Sequence, residues 1–505
     1  MPSIAPTTSR PVTSQPIVPW FWGGLALLFL GSLAIRFWGL SRFNTLVFDE
    51  VYYAKFASQF LRGEIIFTGH PPLSTYIIAL GIWLGNHLPW GEGAKNGLTG
   101  LLLSPFSYRW LNAFTGAWIP LVVAALAYQL MRRRSYALIA GLLMALDGLF
   151  LVESRYALNN VYLILFGLLG HLSFLLALRA GAIQRWLWLS AAGLGFGAAA
   201  AIKWNGLGFL LGAYGIWVLT WGIRWLQSSA PAAFGVVEPK RAELDSPLVN
   251  LTQLHLGSIV WALAVVPALT YYLSWVPYMM VEPTNSGFWA LQWQTWDYHQ
   301  RVGGLDAHPY CSLWYTWPLM LRPVAYFYRT TQSLDDPISL VGPPLPFDAG
   351  TVIYDVHAMG NPLLWWFSSV AVVVLLGIAV QQLGQGLSRR PFTDGNGKRT
   401  QASLSPYGWT VLYLLVNWGA NFLPWVRVTR CLFLYHYMAS LVFAVLGLGL
   451  LLDRWLQRSP SEQKIMAIGV MILIAAGFVF WMPLFLGLPL TPEALELRRW
   501  LPSWV

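Results

Sequence analysis

The stretch Phe48-Asp49-Glu50-Val51-Tyr52-Tyr53-Ala54-Lys55-Phe56-Ala57-Ser58, answered downstream by Gly69-His70-Pro71-Pro72-Leu73, decides how the chain is read. Two adjacent carboxylates stand just beyond the first apolar run of a 505-residue chain that is 56% hydrophobic and only 10% charged. A helix starting near Glu50 puts Tyr53, Phe56, Ala57 and Phe60 on one face, with Gly63 placed to end it. Such a helix is amphipathic and belongs at a membrane surface rather than across the bilayer. A plainer account is also open. Asp at the N-cap with Glu behind it suits the positive end of a helix dipole, and Pro71-Pro72 can simply open a short helix from Leu73 to about Leu84.

Outward from this stretch, apolar runs long enough to cross a bilayer recur along the chain. They fall near 20–40, 108–130, 136–152, 159–178, 187–203, 206–223, 256–276, 363–382, 408–425, 433–452 and 465–486, which makes eleven spans. The expected architecture is an all-α polytopic membrane protein: a disordered cytoplasmic tail over 1–18, a membrane domain over 19–486 and an outward tail over 487–505. Two long loops, 41–107 and 277–361, break the series. No internal repeat is visible, and an odd span count with both long loops on one face argues against an inverted-repeat transporter.

Lys and Arg outnumber Asp and Glu by 31 to 21, a net charge of +10. The basic residues cluster between apolar runs, at Arg132 to Arg134, Arg179 with Arg185, Lys240 with Arg241, Arg389 with Arg390 and Lys398, and Arg454 with Arg458 and Lys464. With the N-terminus cytoplasmic, every one of these clusters falls inside, as retained cytoplasmic charge requires. Basic faces interleaved with aromatics are lacking, so nucleic acid is not an expected partner. The two cysteines, Cys311 and Cys431, have no zinc spacing and read as incidental. Aromatic residues of the second long loop, including Trp289, Trp293, Trp296, Trp314 and Trp317, read as an interfacial belt.

Ionisable residues at span edges carry the chemistry, because each costs free energy to place there. On the outer side they are Arg36, Asp49, Glu50, His70, Arg109, Glu153, Arg155, Lys203, Arg322, Arg427, Arg430 and His436. The bias is towards cations on the face that the positive-inside rule disfavours, which points to an anionic ligand such as a lipid phosphate. Taken singly, Arg36 or Arg109 can snorkel, Lys203-Trp204 can anchor at the interface, and Arg155 can pair with Glu153 or cap the preceding helix.

The run FDEVYYAKFASQF…GHPPL resembles the first external loop of the protein O-mannosyltransferases, although Ser74-Thr75 replace the Gly-Lys usual after HPPL. The resemblance extends along most of the chain. Arg36 lies at the family's spacing before Asp49, and Arg109-Trp110-Leu111-Asn112-Ala113-Phe114-Thr115-Gly116 is similar to its R-x-x-x-A-x-x-G segment. Leu146-Asp147-Gly148 through Glu153-Ser154-Arg155-Tyr156 and Ala201-Ile202-Lys203-Trp204-Asn205-Gly206-Leu207 also match. Asn160 stands where an aspartate is usual, and no role is assigned to it. His308-Pro309-Tyr310, Trp317 to Pro323, Gly360-Asn361-Pro362 and Arg430 through Tyr437 resemble the bacterial members, and the second loop is too short for the β-trefoil that eukaryotic members insert.

The resemblance implies a GT-C glycosyltransferase of the bacterial cell membrane that transfers mannose from polyprenyl-phosphate-mannose to Ser or Thr hydroxyls of secreted or membrane proteins. It implies no cofactor, and no acidic cluster suggests a metal. Asp49 is the expected base in an inverting single displacement. Glu50 is assigned to acceptor positioning or capping, and His70 to the acceptor or sugar. Arg109, Lys203 and Arg430 are the phosphate candidates, Arg36 orients Asp49, and Arg155, Arg322 and His436 complete the substrate-binding set. Membrane lipid and the protein secretion channel are the expected neighbours. Two rival readings share these residues: a polyprenyl-phosphate-sugar transferase acting on a lipid or glycan, and a transporter of lipid-linked sugar.

Overall fold

The computed structural model describes residues 18–64, 67–87, 94–228, 246–282, 287–336, 338, 351–387, 392–393, 399–400, 404–457 and 461–504. Residues 1–17 of the predicted tail, together with Lys240, Arg241, Arg389, Arg390, Lys398 and Arg458, lie outside the described residues. The helices run α1 (Pro19–Phe37), α2 (Glu50–Leu61), α3 (Leu73–Gly85), α4 (Pro105–Met131), α5 (Arg134–Ala145), α6 (Gly148–Arg155), α7 (Asn160–Ala177), α8 (Ala182–Ile202) and α9 (Leu207–Ser228). They continue with α10 (Leu256–Val260), which passes through a π turn into α11 (Val266–Val281), then α12 (Phe288–Arg301), α13 (Pro362–Leu387), α14 (Pro406–Phe422), α15 (Met438–Gln457), α16 (Ser461–Leu486) and α17 (Pro492–Glu496).

Helices occupy all eleven predicted spans. Among the described residues eight are long and apolar enough to cross a membrane, or nine if the bent pair α5–α6 counts as one span. The remaining two are α8 and the 17-residue α14. The span expected over 136–152 is broken, with α5 and α6 meeting at 61°. Asp147 caps α6 by accepting from the Phe150 N–H at 2.9 Å, and the Leu146 carbonyl freed at the break accepts from Asn361. Backbone groups opened at membrane depth are thereby satisfied within the protein.

Glycines let the central helices approach closely. A Cβ at Gly195 of α8 would meet Gly170 Cα of α7 at 2.8 Å, and one at Gly197 would meet the Pro267 carbonyl oxygen of α11 at 2.7 Å. This small-residue packing clamps α8 between α7 and α11 and fixes where its last residue, Ile202, hands over to Lys203.

At the other end of the bundle, Arg133 pairs with Asp453 at 2.8 Å and Arg179 donates to the Gln129 carbonyl. The basic turns are thus tied together at the helix ends opposite Asp49 and Lys203.

Within the first long loop, α2 starts at Glu50 and ends before Gly63, whose φ of +73° terminates it as expected. Tyr53 and Ala57 are buried, with Phe56 and Phe60 packed against the core, so the apolar face of α2 meets protein, α3 included, rather than only a membrane surface.

The helical architecture carries one addition that hydropathy does not reveal. The second loop contains β1 (Val324–Thr331) and β2 (Val352–Ala358), runs rich in β-branched and aromatic residues. Two further pairs of residues, β3 (Phe392–Thr393) and β4 (Arg399–Thr400), form a separate ladder. The C-terminal segment supplies β5 (Pro489–Leu490), giving an antiparallel sheet in the order β1-β2-β5. Trp504 is buried and donates to the Met320 carbonyl, so the predicted outward tail is packed into this cap.

The cysteines are not incidental. Cys311 and Cys431 form a disulfide across a sequence separation of 120. It joins the loop after α12 to the segment after α14, and only the fold could bring those two points together. The belt is likewise divided. Trp289, Trp293 and Trp296 on α12 are exposed, whereas Trp317 is fully buried against Trp425 and His436.

Candidate active site

Asp49 and Glu50 are neighbours in sequence with opposite fates. Glu50 has no exposed surface; it accepts from the Val47 and Ala157 backbone N–H groups and from Arg109. Asp49 occupies the N-cap position of α2 yet makes no capping hydrogen bond with its side chain. The purely structural account of the pair therefore holds for Glu50 and not for Asp49. Phe48, immediately before it, has a φ of +50°, a conformation rare for a bulky residue. Strain of this kind gathers at functional sites and persists where the surroundings over-determine it. Here the Phe48 ring lies flat on Tyr326 of β1, at 4.1 Å and 9°.

Burial raises the Asp49 carboxyl to about 6, and the Lys203 ammonium opposes that rise. Lys203 follows the last turn of α8 and is itself buried, so it is not an interfacial anchor. It donates to Asn160 Oδ1 at 3.1 Å and lies 5.3 Å from the centre of the Tyr435 ring. Asn160 in turn donates to Glu153, whose other oxygen accepts from the Tyr326 hydroxyl.

Beside Lys203 opens a cavity of about 940 Å³. It brings together four of the predicted residues, His70, Lys203, Arg430 and His436. It adds Arg427 from the outer cation set, and Trp204, His299 and Arg301, which the sequence reading left unassigned. Four cations and no carboxylate line it among the described residues, so its chemistry suits an anion. Towards the start of α9 the lining turns apolar with half-exposed Leu207 and Leu211.

Local backbone geometry places the histidines. Gly69 has a φ of +69°, and a Cβ there would sit 2.5 Å from the Tyr298 ring, so only glycine lets the His70 loop approach α12. The His70 and His299 rings then lie 5.2 Å apart. Burial, with the Lys203 charge next, holds His70 well below the ordinary histidine range, and His299 is lowered to about 4 chiefly by burial. Both are neutral at physiological pH. Arg430 donates to the neighbouring Cys431 carbonyl, and His436 stacks on Trp317 at 6.0 Å.

Five predicted substrate-binding residues are committed elsewhere. All five N–H donors of Arg109 are used, on Glu50 and on the Leu40, Phe43 and Thr45 carbonyls. No donor is left for a phosphate, and Glu50 has no face left for an acceptor. Arg36 does not orient Asp49; it bonds Ser154 and Ser32. Arg155 neither pairs with Glu153 nor faces the cavity. It gathers the Ile35, Arg36, Trp38 and Gly39 carbonyls at the end of α1. Arg322 holds the Pro309 and Ser503 carbonyls. Arg109, Arg155 and Arg322 satisfy carbonyls in turns and loops, and Arg36 satisfies serine hydroxyls, uses that spacing along the chain cannot distinguish from ligand binding. Among the described residues no group of three His, Cys, Asp or Glu side chains gathers as a metal site.

Residues 26–278 match the family described as dolichyl-phosphate-mannose-protein mannosyltransferase, and residues 284–504 match the C-terminal four TMM region of protein-O-mannosyltransferase. Similar relatives include the polyprenol-phosphate-mannose–protein mannosyltransferase of Mycolicibacterium smegmatis, 24% identical over 91% of this chain and 88% of that one. The protein of the same description from Corynebacterium glutamicum is 25% identical over 95% of this chain and 92% of that one. Among solved structures, the Saccharomyces cerevisiae protein O-mannosyltransferase Pmt1-Pmt2 complex bound to the sugar donor aligns with a TM-score of 0.74 at 14% identity, covering 97% of this chain and 93% of that one. ArnT from Cupriavidus metallidurans bound to undecaprenyl phosphate aligns at 0.52 and 15% identity, covering 91% of this chain and 65% of that one. At such identities these two likenesses are likenesses of fold.

Proposed function

This chain belongs to the protein O-mannosyltransferase family, and from that premise we propose that it moves mannose from a polyprenyl-phosphate carrier to a Ser or Thr hydroxyl of a protein in one inverting displacement, with Asp49 as the base. The enzyme is a membrane glycosyltransferase of the GT-C type. The observation that carries the reading is the cavity of about 940 Å³, lined by cations without a carboxylate among the described residues. Asp49 is not part of that lining, but its side chain makes no capping hydrogen bond and it interacts electrostatically with Lys203, which is.

The acceptor oxygen attacks the anomeric carbon, the bond from that carbon to the phosphate oxygen breaks, and the bonding pair leaves with the polyprenyl phosphate. Charge grows on the departing phosphate. Lys203 and Arg430 are the groups assigned to it, with Arg427 beside them in place of the occupied Arg109. Fixed cations in a partly desolvated site stabilise such charge as it develops. The hydroxyl proton passes to the Asp49 carboxylate as attack proceeds. No intermediate on the enzyme is required. His70, neutral at the rim of the cavity, is assigned to the sugar or acceptor, and His436 to shaping the cavity wall.

The eleven helices are read as eleven spans in a bacterial cell membrane, N-terminus inside and C-terminus outside. Two features support this orientation: the basic turns lie at the ends opposite the site, and a disulfide on the site's side suits an oxidising compartment. A protein acceptor crossing the membrane would meet this face, which is the reason to place the enzyme beside the secretion channel. Purified enzyme, a Ser/Thr peptide and a polyprenyl phosphate carrying mannose or glucose test the reaction. Mannosylated peptide seen by mass spectrometry with the mannosyl donor alone is the expected result, and glucose transferred at equal rate, or no transfer at all, would overturn it.

A further inference from the structure

Glu153 belongs to no role assigned above, yet it is fully buried at the last turn of α6 between polar partners from two other elements. One carboxylate oxygen accepts from the Tyr326 hydroxyl of β1. The other accepts from Asn160 Nδ2 of α7 at 3.1 Å, and Asn160 Oδ1 accepts from Lys203 Nζ, also at 3.1 Å. Lys203 can only donate and an ionised Glu153 can only accept, so the Asn160 amide has one orientation that satisfies both.

The second arm reaches the base. The Tyr326 ring that Glu153 holds by its hydroxyl lies flat against Phe48, whose left-handed backbone immediately precedes Asp49. Strain at Phe48 has to be held by its surroundings. Phe433 and Tyr435 meet the Phe48 ring edge-on at 6.4 Å, and Tyr326, stacked at 4.1 Å, is the ring nearest it that Glu153 holds.

We propose that Glu153 is a positioning residue for both halves of the site, setting Asp49 through Tyr326 and Phe48 and setting Lys203 through Asn160. It touches neither donor nor acceptor. A misplacement of about 1 Å at a reacting group can cost about a hundredfold in rate, so one carboxylate serving two arms has a larger effect than either arm alone. The inference rests on the assignments of Asp49 and Lys203 made above.

The test uses full-length enzyme in lipid nanodiscs, the polyprenyl-phosphate-mannose donor and a Ser/Thr peptide, with kcat and donor KM measured separately. Tyr326→Phe, which keeps the ring and loses its hydroxyl, is expected to lower kcat about tenfold with little change in donor KM. Asn160→Ala, which frees Lys203, is expected to raise donor KM. Glu153→Ala is expected to do both. Glu153→Gln can still accept from Asn160 through its carbonyl and donate to the Tyr326 oxygen through its amide, so it is expected to recover most of the loss. Equal defects in Glu153→Ala and Glu153→Gln, or kcat and KM unchanged in Tyr326→Phe and Asn160→Ala, would overturn the inference. Tyr326→Phe removes one hydrogen bond and Asn160→Ala two, and these single variants decide the matter even if Glu153→Ala fails to fold. Lack of transfer by the unmodified enzyme would instead count against the reaction itself.

Discussion

Glu50 and Arg109 form an ion pair with Oε2 and Nη2 2.7 Å apart and no exposed surface on either side chain. The pair joins the start of α2 to the start of α4 and pins the first long loop against the bundle. It also separates the adjacent carboxylates, because the acid that meets Arg109 is spent on structure and the one before it makes no capping hydrogen bond.

Removing Arg109 leaves Glu50 as an uncompensated buried charge. Loss of one member of such a pair costs about 3–5 kcal/mol. Arg109→Ala is expected to lower thermal stability sharply while the donor affinity of the folded fraction is kept, which thermal unfolding and donor binding measured on one preparation would check. A direct phosphate ligand would show the reverse: intact stability and weakened binding.

Asp49→Asn preserves shape and removes the base. Transfer is expected to fall by at least about a hundredfold, within the usual range for a general base, with unchanged thermal unfolding. Near-normal turnover in this variant would remove Asp49 from the mechanism.

The rate should fall in acid. Burial raises Asp49 to about 6, and the base works only when ionised, so kcat/KM is expected to be flat above that value and to drop about tenfold per pH unit below it. His299 is lowered to about 4 and His70 lies well below its ordinary range, so neither supplies this limb. A profile that stays level between about pH 7 and 5, through the Asp49 range, would contradict the assignment.

Lys203→Ala and Arg430→Ala each take a cation from the cavity. Both are expected to weaken binding of a polyprenyl phosphate, by roughly tenfold or more for a charge-assisted contact of about 1.5–3 kcal/mol. Titration of the phosphate against each variant provides the check, and unchanged affinity in both would move the phosphate elsewhere.

The Cys311–Cys431 disulfide ties the loop after α12 to the residue following Arg430. Disulfides across long loops typically contribute about 2–4 kcal/mol. Reduction, or the Cys311→Ser variant, is expected to lower the thermal midpoint and weaken donor binding together. If a reductant left both unchanged, the bond would have no part in holding the cavity.

Much of this was legible along the chain. Helix α2 and its stop at Gly63, the helix opened by Pro71-Pro72, and helices at every expected span follow from periodicity, turn residues and run length. These are local properties, set within a few turns of chain. The sheet escaped because β1 and β2 lie within a long loop between apolar runs, and β2 finds its second partner, β5, only in the C-terminal segment. The disulfide escaped because its halves are 120 residues apart.

The amino-acid sequence by itself determined that this is a many-helix membrane glycosyltransferase, and it singled out Asp49, His70, Lys203, Arg430 and His436 among its scarce charged residues. Apolar run length and a distinctive loop are one-dimensional signals, and they survive without a fold. Only the tertiary structure showed which charged groups line the cavity and which are tied into the scaffold. Arg109, Arg36, Arg155 and Arg322 look the same as Lys203 and Arg430 in a list of outer cations. A guanidinium serves freed carbonyls or a buried carboxylate as readily as a phosphate, so its role depends on what packs around it.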